Sequence, residues 1–223
     1  ATDTYYPDIN GCSFFAQRLA EGLNDTGHEV RVIAPSLTME QSVFSRNGVS
    51  VFGMRSLPRL AYKNIRYPVP ILIKRKIKDV IREFSPDIVH IQDHFFIGKG
   101  AVKAAQELKI PVMGTNHLVP ENILQNIPSY IVITKNIRRA MSKLLWNEFN
   151  WVFSRLVCVT TPTLTAANIA HQSGFKKEIL PISCGIDLNR FNPANNGEYL
   201  RRRYAIPNKK ILLYIGRLDK EKN

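Results

Sequence analysis

The chain has 223 residues, and 44% of them are hydrophobic, which excludes an intrinsically disordered protein. It contains no uninterrupted run of about 18 apolar residues, so no transmembrane helix is expected. The formal net charge is +13, a balance that favours anionic partners such as nucleic acid, acidic lipid or phosphorylated ligands.

Strand-like and helix-like segments alternate along the chain. Short runs rich in β-branched residues predict strands at 29–34, 49–52, 87–92, 111–115, 156–160 and 211–215. Apolar residues at helical spacing predict helices at 12–24, 71–84 and 164–172. This alternation predicts an α/β fold with a doubly wound parallel sheet. In such sheets, ligands bind at the carboxyl ends of the strands.

Three residues mark the ends of predicted helices. Gly27 follows the first helix, where glycine most easily takes the left-handed conformation of a C-cap. Thr163 is expected to cap the helix at 164–172, which Gly174 then ends.

A change of composition divides the chain. Residues 184–208 show little periodicity and many turn formers, apart from a basic helix expected over Glu198–Tyr204, and they predict an interdomain linker. Residues 1–183 are expected to form a first Rossmann-like domain, and residues 209–223 to begin a second one. The first four residues read like the end of a strand whose start is missing.

The three cysteines lie far apart and form no CxxC pair. An odd number in a chain of this length favours a reducing, cytosolic compartment. The expected structural role of Cys12, Cys158 and Cys184 is that of small buried hydrophobic residues.

Four stretches, taken together and in this order, resemble the retaining glycosyltransferases of family 4. The first is Tyr6-Pro-Asp-Ile-Asn-Gly11, which opens a helix running to Gly27-His-Glu-Val30, similar to the family's glycine loop and first helix. The second is Asp87-Ile-Val-His-Ile-Gln-Asp-His94, similar to its D-V-I-H-x-H strand. The others are Gly185–Pro193, like its interdomain segment, and Ile215–Asn223, like its G-R-L-x-x-E-K-N motif.

The resemblance implies a GT-B fold and transfer of a hexose from a nucleotide-diphosphate sugar, with retention at the anomeric carbon. It implies that Arg217 and Lys222 contact the donor diphosphate, and such cations at the start of a helix do form a good anion site. It also implies that Gly11 lets the backbone approach the same diphosphate. Asn10 stands where many relatives have a second glycine. A UDP- or GDP-linked donor is expected, and no cofactor.

Further candidate residues follow two predicted strands. For His117 the resemblance implies contact with the transferred sugar at the reacting centre, which suits an imidazole of near-neutral pKa; a structural histidine is the alternative. Asp93 and His94 are expected to line the cleft and to contact acceptor hydroxyls, with His90 buried. No metal is expected, since His90 and His94 do not share a helix.

Asp187 lies in the predicted interdomain segment, where a hinge or capping hydrogen bond is expected rather than chemistry. No pair of carboxylates has the arrangement found in glycosidases. In the family, the carboxylate pair that grips the donor sugar lies downstream of Asn223. We therefore expect this chain alone to be inactive.

The acceptor is predicted from a shorter match. Thr115–Asn122 resembles a segment of enzymes that glucosylate diacylglycerol or similar lipids. The segments at 70–84 and 135–153 combine an apolar face with lysines and arginines, and Trp146 and Trp151 are of a type found at membrane interfaces. Since each basic residue near anionic lipid contributes about 1 kcal/mol, we expect peripheral binding at the cytoplasmic face of the cell membrane.

Several alternatives stay open at this point. The two amphipathic segments also fit ordinary packing on the sheet with solvated outer faces. The same chemistry fits a soluble acceptor, such as a sugar phosphate or a polysaccharide. A nucleic-acid-binding module predicts interleaved aromatic and basic residues or a reading helix; neither is found, so no nucleic-acid partner is expected. A non-enzymatic single domain is disfavoured, because Lys220–Asn223 looks like a motif stopped in mid-course.

Overall fold

The computed structural model describes residues 1–58, 66–120, 124, 134–194, 196–207 and 210–216. The contacts divide the chain into two compact units, Ala1–Ser183 and Cys184–Asn223. The division falls where the sequence predicts the linker to begin. The further division of the second unit into a linker and the start of another domain stays a prediction.

Helices and strands alternate through the first unit. Its helices are α1 (Gly11–Asp25), α2 (Pro70–Phe84), α3 (Phe96–Glu107), α4 (Lys135–Phe153) and α5 (Leu164–Gln172). Its strands are β1 (Arg31–Pro35), β2 (Ser42–Arg46), β3 (Val49–Met54), β4 (Ser56–Pro58), β5 (Arg66–Pro68), β6 (Val89–Ile91), β7 (Val112–Thr115), β8 (Cys158–Thr161) and β9 (Leu180–Pro181). The second unit contains α6 (Glu198–Arg203).

Most strand pairs are parallel, as the alternation of elements predicts. β6, β7, β8 and β9 are neighbours in that order and parallel, and β1 pairs with β3 in the same sense. The exceptions are the antiparallel pairs β2–β3 and β4–β5. Ala1 and Thr2 bridge the two parallel groups: the Thr2 N–H donates to the Ile33 carbonyl, and the Gln92 N–H donates to the Ala1 carbonyl, both at 3.0 Å. The predicted α/β fold is confirmed.

The predicted helix ends are confirmed in the same unit. The backbone N–H of Ala166 donates to the Thr163 hydroxyl at 3.1 Å, so Thr163 caps α5. Gly27 and Gly174, which follow α1 and α5, have φ angles of 92° and 99°. Both angles lie in the left-handed region that glycine adopts without strain.

The helix α3 is not predicted from the sequence. It packs tightly against its neighbours. Two glycines in its first turns weaken the helical signal, and the structure shows why they are there. A Cβ at Gly98 would lie 2.1 Å from the Asp93 carbonyl oxygen, and one at Gly100 would lie 2.9 Å from Ile77 Cδ1. Close packing of α3 on the loop after β6 therefore requires glycine at position 98, whereas a Cβ at position 100 would displace only the end of the Ile77 side chain.

The second unit forms only part of what its sequence predicts. The basic helix expected over Glu198–Tyr204 is present as α6. The strand predicted at 211–215 is wrong: these residues have no regular structure, and all five side chains are exposed. A hydrophobic run becomes a strand only when neighbouring strands accept its hydrogen bonds and cover its faces, and the described residues of this unit include no strand.

The three cysteines are more exposed than predicted. Cys12, Cys158 and Cys184 form no disulfide with one another, and each is half-buried rather than buried as expected. Among the helices in the described part of the chain, none combines the length and the apolar character needed to cross a bilayer.

Candidate active site at the carboxyl edge of the sheet

The candidate site begins at the first turn of α1. The Asn10 side chain caps this helix: its Oδ1 accepts hydrogen bonds from the Ser13 N–H at 2.8 Å and from the Thr4 hydroxyl at 3.1 Å. Capping explains asparagine before Gly11, since a second glycine has no side chain for this purpose. Gly11 is exposed, and a Cβ there would meet no atom within 4 Å. The amide-rich end of α1 is therefore open around Gly11.

The side chain of His117 is held from two sides next to this turn. Its Nε2 lies 3.0 Å from Oε1 of Gln92, and its ring centroid lies 4.7 Å from that of Phe15 in α1. The Cys12 Sγ lies 3.7 Å from the Gln92 carbonyl oxygen. The start of α1 and the carboxyl ends of β6 and β7 therefore meet at His117. Gly11 is close to this point, because it precedes Cys12 in the chain.

Burial sets the charge of the His117 imidazole. It lowers the pKa of His117 from 6.5 to about 4, an effect that the nearby negative charge of Asp93 offsets only in part. The ring is therefore neutral near pH 7, with one N–H donor and one nitrogen lone pair. A neutral imidazole hydrogen-bonds hydroxyl groups but adds no positive charge for a diphosphate. This state is compatible with the predicted contact to a sugar.

A second row of polar side chains crosses three neighbouring strands. His90 Nε2 lies 2.8 Å from the Thr115 hydroxyl, which lies 2.8 Å from the Thr160 hydroxyl. Burial lowers the pKa of His90 to about 3, so its ring is also neutral. These hydrogen bonds link β6, β7 and β8 near their carboxyl ends, two residues before His117 in the case of Thr115.

Asp93 and His94 point into the protein rather than towards an open surface. Asp93 Oδ2 accepts a hydrogen bond from the Asp3 backbone N–H at 2.7 Å. The His94 side chain is 0% exposed and lies among aromatic rings, with centroids 5.7 Å from Phe149 and 5.8 Å from Phe153. The expected contacts of these two residues with acceptor hydroxyls do not fit these positions, because the loop after β6 turns inward to start α3.

The Asp3 carboxylate explains why that loop turns inward. It accepts hydrogen bonds from the N–H groups of Ile97 at 2.8 Å and Gly98 at 3.3 Å, and so caps the start of α3. Burial and the neighbouring Asp93 carboxylate raise the pKa of Asp3 well above its usual value. The protonated form of Asp3 is therefore favoured, and its buried carboxyl group holds the backbone beneath the site without exposure to a ligand.

The other predicted site residues belong to the second unit. Asp187 is exposed, and its Oδ1 accepts hydrogen bonds from the N–H groups of Asn189 at 3.0 Å and Arg190 at 3.2 Å, which is the capping bond expected there. Arg217 and Lys222 lie outside the described residues, so their contact with a diphosphate stays a prediction. Across the described ranges, no three His, Cys, Asp or Glu side chains are grouped as metal ligands.

The two basic helices differ in how they are packed. In α2, Ile73, Ile77 and Val80 are buried, and Lys78 is paired with Glu107 of α3. In α4, the carboxyl-terminal half has a buried face, whereas every residue from Lys135 to Leu145 is exposed or half-exposed.

The tryptophans of α4 lie in its packed half. Trp146 is 7% exposed, and its ring centroid lies 5.2 Å from that of Phe149. The prediction that Trp146 lies at a membrane interface is therefore wrong. Trp151 is half-buried, with the Arg155 guanidinium 3.9 Å from its ring centroid.

Several named proteins are similar to the chain along nearly its whole length. The chain is 28% identical over 226 residues to a GDP-mannose-dependent alpha-mannosyltransferase of Mycobacterium tuberculosis, covering 99% of the chain and 56% of the relative. It is 28% identical over 227 residues to the alpha-monoglucosyldiacylglycerol synthase of Streptococcus pneumoniae, covering 100% of the chain and 49% of the relative. The chain thus spans about half the length of these relatives.

Solved structures share the fold. Sucrose-phosphate synthase from Thermosynechococcus elongatus superposes with a TM-score of 0.68 at 15% identity, covering 95% of the chain and 51% of that protein. Anabaena HepE, solved with UDP-glucose, superposes with a TM-score of 0.56 at 13% identity, covering 93% and 50%. These similarities confirm the predicted GT-B type of fold. The family profile "Glycosyltransferase Family 4" matches residues 9–190, most of the sequence, and the chain belongs to that family.

Proposed function

We propose that the whole protein to which this chain belongs transfers a hexose from a nucleotide-diphosphate sugar to a membrane lipid, with retention at the anomeric carbon. The observation that carries the proposal is the position of a neutral His117 at the carboxyl edge of the sheet, held by Gln92 beside the open first turn of α1. This is the edge at which α/β sheets bind ligands.

The donor is proposed to be a UDP- or GDP-linked hexose. In the first unit, the open amide end of α1 at Gly11 suits a phosphate, because helix N-termini attract anions. Arg217 and Lys222 are proposed to supply the positive charge that the neutral His117 lacks, which stabilises the diphosphate as it leaves. His117 is proposed to contact the transferred sugar. The proposal involves no cofactor and no metal.

The lipid acceptor is supported by the named relatives and by the charge of the surface. Two of the relatives are alpha-monoglucosyldiacylglycerol synthases, from Streptococcus pneumoniae and Acholeplasma laidlawii. A net charge of +13 favours an anionic surface. Because Lys74 and Arg75 of α2 and Arg138 and Arg139 of α4 are exposed, they are available to anionic headgroups. We propose peripheral binding at the cytoplasmic face of the cell membrane.

A screen with the whole protein tests this function. UDP- and GDP-linked glucose, mannose and galactose, each labelled in the sugar, are incubated with diacylglycerol in anionic vesicles, and labelled lipid is separated from free sugar. We expect one donor to give labelled lipid, with the donor's own α configuration in the product by proton NMR. Labelled product only with soluble sugar phosphates or polysaccharide would replace the lipid acceptor by a soluble one. No product with any pair would contradict the proposal.

The matched control for the screen is His117→Ala. The ring touches Phe15 and Gln92 at the surface of the site rather than in the main core, so the variant is expected to fold. Loss of one hydrogen bond made in the transition state is expected to lower the rate by up to about 100- to 1,000-fold.

A further inference from the structure

The hydrogen bond between Gln92 and His117 connects the loop after β7 to the end of β6. The Gln92 backbone N–H donates to the Ala1 carbonyl at 3.0 Å, and its carbonyl oxygen lies 3.7 Å from Cys12 Sγ. The residue is only 4% exposed. Because both backbone groups are engaged and the side chain is buried, the position of its Oε1 is fixed relative to β6.

The chemistry of this contact determines where the proton of the imidazole lies. A side-chain amide oxygen only accepts hydrogen bonds, and it lies 3.0 Å from His117 Nε2. With Oε1 of Gln92 turned towards the ring, the hydrogen of the neutral His117 imidazole is assigned to Nε2. Since a neutral imidazole carries one hydrogen, Nδ1 is left with its lone pair.

We propose that Gln92 is a positioning residue that fixes His117 in the Nε2–H tautomer, so that Nδ1 accepts a hydrogen bond from a ligand hydroxyl. A hydroxyl group satisfies such an acceptor, whereas a phosphate or carboxylate oxygen does not. Phe15 packs against the ring and restricts its rotation, which leaves Gln92 to select between the two flipped orientations. That this hydroxyl belongs to a sugar rests on the proposed function.

The tautomer is tested directly by NMR on the whole protein labelled with ¹⁵N in histidine, with His117→Gln used to assign the signals. We expect the wild type near pH 7 to show one neutral form with the proton on Nε2. Gln92→Met, which keeps the length but not the acceptor, is expected to show a mixture of both tautomers. Gln92→Glu is expected to keep the Nε2–H form and to raise the pKa of His117, because a carboxylate stabilises the imidazolium.

Two results would overturn the proposal: a wild-type proton on Nδ1, or Gln92→Met spectra indistinguishable from those of the wild type. If Gln92→Met loses its dispersed spectrum, the wild-type tautomer decides alone, because a carboxylate at position 92 raises the pKa of His117 whichever nitrogen carries the hydrogen. The measurement needs no turnover. Failure of the tautomer assignment therefore leaves the proposed transferase untouched, and an inactive screen leaves the tautomer standing.

In an active preparation, the same variants give a second readout. We expect Gln92→Met to lower kcat about tenfold and to change KM for the vesicle acceptor by less than about twofold, as expected for lost orientation of a group that acts on the sugar. Gln92→Glu is expected to recover part of the kcat, mainly at higher pH, where His117 is again neutral. Equal losses in both variants at every pH would contradict a role in orienting the ring.

Discussion

The helix α2 and the first half of α4 have the same kind of sequence and different surroundings. Both place lysines and arginines opposite apolar residues. In α2 the apolar face is in the core, with Ile77 fully buried, and Lys78 and Arg82 are paired with acidic side chains. In the first half of α4, Ile137 is 51% exposed and Leu144 is 67% exposed, and Arg138 and Arg139 are exposed as well.

Amphipathic periodicity therefore does not determine which surface covers the apolar face of a helix. In α2 that surface is α3, whose Gly100 lets Ile77 approach. Past residue 145, α4 also enters the core, through Phe149 and Phe153. For the proposed membrane binding, we expect the first half of α4 to be the main contact and α2 to contribute mainly its exposed cations, Lys74 and Arg75.

The largest expected effect is on folding, and it separates the two helices. Ile77→Ala in α2 is expected to lower the free energy of unfolding by about 2–5 kcal/mol, since it leaves a cavity in the core. Leu144→Ala in α4 is expected to change it by less than about 0.5 kcal/mol, because that side chain is largely exposed. Urea unfolding of both variants measures the difference. Equal losses would mean that the first half of α4 is as well packed as α2.

The next largest effect is on membrane binding. Arg138→Gln with Arg139→Gln is expected to weaken binding to anionic vesicles about 30-fold, given about 1 kcal/mol for each cation. Lys78→Gln with Arg82→Gln removes the same charge from α2, and a smaller loss is expected because both cations already have acidic partners. Vesicle sedimentation at moderate salt measures both. Unchanged binding of the α4 variant would exclude this helix as the membrane contact.

Much of the fold follows from local sequence signals. The helix predicted at 164–172 matches the bounds of α5. Thr163 caps its start, Gly174 follows its end, and Gly27 follows α1, all as predicted. These positions are predictable because capping depends on residues close in sequence. The hairpin β2–β3 was missed although Asn47-Gly48, with positive φ at both residues, is a typical two-residue turn.

The site was less predictable, because its residues meet through the tertiary structure. The role of His117 is predicted from the family resemblance, together with its place after a strand. Gln92 was missed as its partner, since nothing local shows that residues 25 apart in sequence make a hydrogen bond. Asp93 and His94 follow a strand in the same way, but the buried Asp3 carboxylate draws their loop inward. Only long-range contacts distinguish the two cases.

A smaller effect of pH tests the packed half of α4. Burial lowers the pKa of His94, which contacts Phe149 and Phe153, to about 4. The unfolded chain therefore binds a proton between pH 6.5 and pH 4 that the folded chain does not, and stability present above pH 6.5 is lost as the pH falls towards 4.

From pH 7 to pH 5, His94 is expected to account for a loss on the order of 1–2 kcal/mol in the free energy of unfolding. Asp3 acts with the opposite sign, because its raised pKa makes the folded state bind the extra proton. His94→Phe, which retains an aromatic ring, isolates the share of His94. Urea unfolding of this variant should show a smaller loss between the two pH values. An unchanged loss would show that His94 is not kept neutral by the core.

The smallest expected effect is that of a surface ion pair. Lys78→Ala breaks the pair between α2 and Glu107 of α3, and it is expected to cost much less stability than Ile77→Ala, because water screens a pair at the surface. Thermal unfolding at low and high salt measures it, and the cost should shrink further at high salt. A cost equal to that of Ile77→Ala would show that charge rather than burial holds α2 in place.

The central claim is that the carboxyl edge around His117 and Gly11 serves sugar transfer from a nucleotide donor. The most direct measurement is initial transfer of labelled sugar to vesicle lipid by the whole protein, compared between wild type and His117→Ala under identical conditions. We expect labelled lipid from the wild type and a transfer rate at least about tenfold lower from His117→Ala. A folded His117→Ala protein that transfers sugar as fast as the wild type would contradict it.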